Sequence, residues 1–209
     1  MPSQTISKLA EVFAHSSKRR SRAGVRHTMR LPEVTEAANG WALLEIAREI
    51  LGRTAVPFRA TLFDKSAKTN WLVTWHQDTA LPLESKKEIA EWGPWSVKDG
   101  IWYAHAPVNA LERVAALRVH LDDSKASNGP LRVLAGTHRA GVLTDEKIHK
   151  LKDEIPAVDC LVAAGGVLVM RPLVVHASSK SQGEERRRVL HIEYAESLTI
   201  ADGFQLAIA

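Results

Sequence analysis

Residues 70–78 read Asn-Trp-Leu-Val-Thr-Trp-His-Gln-Asp. The aromatic and β-branched side chains from Trp71 to Trp75 predict a strand. The His-x-Asp that follows sets an imidazole and a carboxylate two positions apart, and on an extended chain such residues point to one side. With a second histidine from another strand they would make the facial triad of non-haem Fe(II), which keeps coordination positions open. Spacing alone does not single out this pair. Nine histidines and nine aspartates in 209 residues give about 0.4 His-x-Asp patterns by composition alone. The chain nevertheless has a second, His120-Leu121-Asp122, and a relative of it, His191-Ile192-Glu193. Context has to choose among them.

Working outward, the segments that alternate or run apolar are short: Phe58 to Phe63, Val114 to Leu121, Leu131 to Leu134, Gly166 to His176 and Arg188 to Ala195. Asn128-Gly129-Pro130 marks a turn. Helical signals stand apart from these. Leu31-Pro32-Glu33 predicts a helix start, and Trp41 to Leu51 has helical periodicity with Gly52 as its stop. Thr144-Asp145-Glu146 caps a short helix running to about Ile155. Helices first and many short strands afterwards predict a β-sandwich or barrel with a helical flank. Residues 79–107 fit neither pattern and read as a long excursion. Trp92, Trp95 and Trp102 make it either a packed lid or a loop held by its own anchors.

Composition narrows the functional classes. A chain 45% apolar and 25% charged suits one globular domain. The net charge of +4 is concentrated: residues 1–30 carry seven Lys/Arg against Glu11 alone, so that the remainder, with 21 basic and 23 acidic residues, is slightly acidic. We therefore divide the chain into a basic leader, 1–30, and a single domain, 31–209. The leader carries no recognised nucleic-acid motif, and nucleic acid is not an expected partner. A membrane span is not expected either, since the most apolar run, Cys160 to Met170, is too short. One cysteine excludes an internal disulfide and suits a reducing cytoplasm, and no secretory signal opens the sequence.

The ordered set of motifs then resembles one family. Asn70 to Asp78 is similar to the metal-binding strand of the phytanoyl-CoA dioxygenase family, jelly-roll oxygenases dependent on Fe(II) and 2-oxoglutarate. Leu117 to Asp122 followed by Asn128-Gly129-Pro130-Leu131-Arg132-Val133-Leu134-Ala135-Gly136-Thr137-His138 resembles its strand, Asn-Gly turn and Gly-Ser/Thr-His block. Met170-Arg171-Pro172-Leu173-Val174-Val175-His176-Ala177-Ser178 resembles its distal-histidine strand, and Arg186 to Tyr194 its cofactor-anchoring strand. The match covers roughly residues 55–195.

The resemblance implies a mainly β fold with flanking helices, a double-stranded β-helix of the cupin-like, jelly-roll kind. It makes His76, Asp78 and His176 the iron ligands and leaves His120 as a core or pocket-wall residue. His138 is given a turn-stabilising or substrate-side role. 2-Oxoglutarate as cosubstrate needs a cation for its far carboxylate, and a guanidinium can grip one through two parallel hydrogen bonds. Arg187, eleven positions after His176, is the expected anchor. Arg188 is the alternative register, and strand alternation turns Arg186 and Arg188 away from Arg187. Ser178 could add a hydroxyl. Arg118, where the family has a tryptophan, and Thr61 are further cosubstrate-pocket positions. Gln77, between two ligands, is expected to be structural.

The implied activity is a dioxygenase that uses dioxygen to hydroxylate a small organic substrate, with succinate and carbon dioxide as coproducts. The nearly neutral body offers no obvious patch for the phosphates of a CoA thioester. A metal-binding jelly roll with a non-oxidative or ligand-sensing role is the alternative.

Overall fold

The computed structural model describes residues 1–15, 24–66 and 69–209. Before the main run of strands come α1 (Ser3–His15), the two-residue β1 (Gly24–Val25), α2 (Pro32–Ala38) and α3 (Trp41–Leu51). Pro32 sits in the first turn of α2, where a missing N–H leaves nothing unpaired. α3 stops at Gly52, whose φ of 97° suits glycine.

Part of the leader is a packed helix. α1 puts Leu9 and Phe13 into the largest core, with Val34, Leu43 and Tyr194, and the terminal ammonium donates to the Gly165 carbonyl at 2.8 Å. Apolar residues at helical spacing explain this, because α1 has a face to bury. Lys18, Arg19, Arg20 and Arg22, which supply much of the leader's charge, lie outside the described residues.

Two antiparallel sheets make the body. In the larger, β1, β2 (Val56–Lys65), β12 (Arg187–Ala195), β7 (Val114–His120) and β10 (Val167–Met170) are neighbours in that order. In the smaller the order is β3 (Val73–His76), β11 (His176–Ser178), β8 (Leu131–Leu134) and β9 (Ala157–Cys160). Both contribute to one interior, where Ala116 and Met170 of the larger sheet pack with Leu131 of the smaller. The segment expected as one strand, 166–176, is two: β10 ends at Met170 and β11 begins at His176 in the other sheet. Arg171-Pro172 carries the chain across, and proline cannot donate to a ladder. Helix α4 (Asp145–Glu154) begins after Thr144, whose side chain accepts from the Lys147 amide as its cap.

The excursion is a third sheet, β4 (Ala80–Leu83), β6 (Ile101–His105) and β5 (Trp95–Lys98), in that order. Trp92 and Trp95 behave as anchors, while Trp102 is exposed. Trp92 packs on Phe204 with ring centroids 4.2 Å apart and donates to Asp202 at 2.9 Å, and Trp95 lies 5.9 Å from the same Phe204 ring. The chain's last residues complete this second core by adding to β2, with Ala209 bonded to both Phe58 and Ala60. Among the described residues no helix is long and apolar enough to cross a membrane.

Candidate metal centre and cosubstrate pocket

β3 shows how the sequence aims its histidine. Thr74 and His76 share one face, while Trp75 packs on the other with Leu134, Ile148 and Val175. On β11, His176 and Ser178 face inward, and His176 lies directly across from His76 in the ladder. Gln77, between the two candidate ligands, spends its amide on structure: it donates to the carbonyls of Gly141 and Leu173 and accepts from the Leu143 amide. The Asp78 amide donates to Pro172 at 3.0 Å. These bonds stitch the loop after β3 to the crossover before β11, and they bring Asp78 to both histidines.

The resulting cluster is tight. Ligand atoms of His76, Asp78 and His176 all lie within 4.8 Å of one another. His76 Nε2 is 3.6 Å from one Asp78 oxygen and His176 Nε2 is 3.5 Å from the other. Each imidazole is oriented by its other nitrogen: Nδ1 of His76 meets the Thr74 carbonyl at 2.8 Å, and Nδ1 of His176 meets the Val174 carbonyl at 2.9 Å. A ring that donates from Nδ1 to a carbonyl presents an Nε2 lone pair, which is what a metal-binding histidine needs. Burial alone would raise the Asp78 carboxyl, but the two imidazoles outweigh it and hold Asp78 ionised, well below the usual range. Burial lowers His176, while the Asp78 carboxylate overcomes burial and raises His76. The donor set, two imidazole nitrogens and one carboxylate within reach of one another, fits a divalent metal of the Fe(II) kind.

The register of the larger sheet builds the rest of the pocket. Arg59, Thr61, Phe63 and Lys65 on β2 lie opposite Glu193, His191, Val189 and Arg187 on β12. His191 and Val189 in turn lie opposite Arg118 and His120 on β7. All of these face the interior, while Ala60, Leu62, Leu190, Ile192, Leu117 and Val119 pack outward against the helices. Thr61 is half-buried in this lining.

Arg187 is buried, with Nε donating to the Asn128 carbonyl at 3.2 Å and Nη2 reaching Ser178 Oγ at 3.4 Å, while Nη1 has no partner. Burial and the nearby Arg118 charge lower it to about 10. The alternation expected of the three arginines is present. Arg186 grips Asp64 and Arg188 grips Asp122, each through two nitrogens, so Arg188 points away from the pocket. The carboxylate of the second His-x-Asp, Asp122, is thus held in an ion pair.

His120 is buried with neither ring nitrogen partnered, and burial lowers it to about 4. Arg118 donates to His191 Nδ1 at 3.0 Å, leaves Nε unpartnered and is lowered to about 10 by burial. At the Gly136-Thr137-His138 block the side-chain hydrogen bonds come from Thr137, which donates to the Leu134 carbonyl and accepts from the Val175 amide, while His138 lines a cavity with Leu111, Arg171 and Leu173.

Sequence reasoning missed Lys65. Its Nζ reaches Ser178 Oγ at 2.8 Å and the Ser179 carbonyl, and burial followed by the Arg187 charge lowers it to about 8. The signal was available in the alternation: Lys65 shares a strand face with Thr61, but a lysine after an expected strand end at Phe63 reads as a surface residue. Glu193, buried and gripped by Arg59, was likewise visible only as a variant His-x-Glu.

Comparisons with known proteins agree with this architecture. The family model described as phytanoyl-CoA dioxygenase matches residues 5–189. An L-proline trans-4-hydroxylase of Streptomyces griseoviridis is 26% identical over 73% of this chain and 59% of its own length. This chain therefore spans less than two thirds of that relative. Among solved structures, AviO1 from Streptomyces viridochromogenes Tue57 has a TM-score of 0.66 at 21% identity, covering 93% of this chain and 86% of that one. HygX from Streptomyces hygroscopicus, solved with nickel and 2-oxoglutarate, has a TM-score of 0.62 at 15% identity, covering 93% and 78%. With a family model matched over most of its length and a jelly roll to carry the motifs, the chain belongs to the phytanoyl-CoA dioxygenase family.

Proposed function

We propose that this protein is an Fe(II)- and 2-oxoglutarate-dependent dioxygenase that hydroxylates a small organic substrate. The observation that carries the reading is the joint placement of two features inside one barrel. His76, Asp78 and His176 form a metal-ready cluster, and a buried, incompletely bonded Arg187 stands on the facing sheet. In this reading His76, Asp78 and His176 hold the iron, Arg187 receives the far carboxylate, and Ser178, Arg118 and Thr61 line the cosubstrate pocket. Bound iron, with 2-oxoglutarate and dioxygen, supplies the oxidant that turns a C–H bond into C–OH, leaving succinate and carbon dioxide. The protein orients the ligands, keeps the pocket dry and places the substrate. The hydroxylase relative supports a small substrate of amino-acid size, and the lone cysteine supports a reducing cytoplasm.

An anaerobic absorbance titration of the Fe(II)-loaded protein with 2-oxoglutarate tests this. A visible charge-transfer band is expected on chelation, weakened about tenfold or more in apparent affinity by Arg187→Ala, as for loss of charged hydrogen bonds. Iron binding without a band at saturating 2-oxoglutarate would refute the reading and favour a non-oxidative metal protein.

A further inference from the structure

The sheet of β4, β5 and β6 has an apolar face and a polar one. Leu81, Trp95 and Ala104 stand side by side in its ladders and enter the second core. Alternation puts Ser96, Lys98 and Tyr103 on the reverse side. Several contacts join that side to the metal cluster. Thr79, next to Asp78, is tied to β6 by the Ala106 amide at 2.9 Å and by the His105 ring at 2.6 Å. Arg59 donates to the Ala80 carbonyl at 2.9 Å and lies 5.8 Å from the centre of the Tyr103 ring. The Asp78 carboxylate acts on the charges of both Arg59 and Lys98.

The cations here differ in what they hold. Arg59 is fully engaged, with Nε and Nη2 on the buried Glu193 and Nη1 on the Ala80 carbonyl. Tyr103 is buried, and its hydroxyl meets Nε2 of His27, a leader residue, at 2.9 Å. Lys98 lies over the ring so fixed, with Nζ 4.5 Å from its centroid. This lysine is half-buried, and among the described residues its ammonium has no hydrogen bond and no ion pair. Its chain neighbour Asp99 lies 3.5 Å from His27 Nδ1 instead. Burial and the charges of Arg59 and Arg26 lower Lys98, and Asp78 raises it.

An ammonium with three donors and no acceptor, partly withdrawn from water, is a costly arrangement that one carboxylate relieves. A single lysine also matches a carboxylate better than a phosphate monoester, which carries nearly two charges. The position is remote from Arg187. Arg59 precedes Lys65 by six positions on β2, roughly 20 Å of extended chain, and Lys65 is the residue that pairs with Arg187.

We propose that Lys98 receives the carboxylate of the substrate, above a floor made by Tyr103, and that the substrate is a small carboxylic acid. This rests on the oxygenase reading above. It gives the excursion of residues 79–107 a part in selecting what is hydroxylated.

The test is calorimetric binding of matched acids and amides to the protein loaded with Fe(II) and 2-oxoglutarate, without oxygen. The probes are L-proline, L-leucine, L-phenylalanine and benzoate, each beside its carboxamide. At least one acid is expected to bind about tenfold or more tightly than its amide. Lys98→Met is expected to remove that preference by weakening the acid, with the amide unchanged and 2-oxoglutarate affinity retained. Lys98→Arg is expected to restore most of it. Lys98→Glu, which reverses the charge, is expected to favour the amides, and it carries the test if Lys98→Met does not fold. A wild type that binds none of the acids, or none better than its amide, overturns the proposal. So does a Lys98→Met protein that keeps the preference, or one that loses acid and amide equally, which would mean a structural lysine. Failure of 2-oxoglutarate to give a charge-transfer band overturns the cosubstrate reading itself.

Discussion

The larger sheet has two faces made from the same strands, and they treat charge in opposite ways. On the outer side Arg186 and Arg188 are closed by Asp64 and Asp122, each with two hydrogen bonds of 2.7 or 2.8 Å. Around them Ala60, Leu62, Leu117, Val119, Leu190 and Ile192 are buried in one core with residues of α1, α2 and α3. One position along, on the inner side, Arg187 leaves a nitrogen unpartnered, Arg118 does the same, and His120 has no hydrogen bond at either ring nitrogen. Matched charge on the outer face belongs to the architecture. Unmatched donors on the inner face, opposite the cluster of His76, Asp78 and His176, are what the proposed cosubstrate site would use. Arg59 and Glu193 mark the limit of this contrast, since they face inward and are paired.

The largest effect should follow from removing the charge at the centre of the inner face. Asp78→Asn takes away the carboxylate that both imidazoles face, leaving two neutral nitrogens and an amide. Turnover, measured as succinate released from 2-oxoglutarate in the presence of oxygen, is expected to vanish, with iron retention falling in parallel. Normal succinate release from this variant would remove Asp78 from the ligand set and dissolve the contrast between faces.

Much of the outer face and part of the inner one could be read from the chain. The stop at Gly52, the cap at Thr144, the Asn128-Gly129 turn and the alternation through Arg186, Arg187 and Arg188 are local rules, and local rules survive folding. Two things were not local. The apparent strand 166–176 divides between sheets because the crossover at Arg171-Pro172 depends on where the second sheet lies. Lys65 enters the pocket only because β2 continues two residues past Phe63 and pairs with Arg187. No property of a lysine at a strand end distinguishes a buried side chain from a solvated one. The excursion was undecidable for a similar reason: Trp92 and Trp95 find Phe204, about a hundred residues away, and become anchors.

A smaller effect should separate the faces by their response to acid. His120 is neutral in the fold, with burial holding it at about 4, whereas an unfolded histidine titrates near 6.5. Between these values the unfolded chain binds more protons than the folded one. Stability therefore falls as pH drops from about 6.5 to about 4, by at most ~1.4 kcal/mol per pH unit from this group. His120→Leu, which places an apolar side chain where two nitrogens have no partner, is expected to flatten that part of the profile in chemical-denaturation midpoints. A profile unchanged from wild type would show that His120 finds a partner in solution, and the inner face would be less open than its geometry implies.

The smallest effect is expected one residue from the largest binding effect. Arg188→Ala removes a guanidinium that is 14% exposed and pairs with Asp122, 22% exposed. The loss should be about 1–2 kcal/mol, as for charged hydrogen bonds near a surface. Because Arg188 faces the helices and also bonds the Ala10 carbonyl of α1 at 3.0 Å, the loss should appear in denaturation midpoints. The 2-oxoglutarate affinity should stay within about twofold of wild type, since no bond of Arg188 reaches the pocket. Set beside Arg187→Ala, the pair asks whether strand alternation alone decides which of two adjacent, chemically identical side chains binds and which one braces. A loss of cosubstrate affinity in Arg188→Ala comparable to that in Arg187→Ala would mean that the register of β12 in solution differs from the one that pairs Arg187 with Lys65.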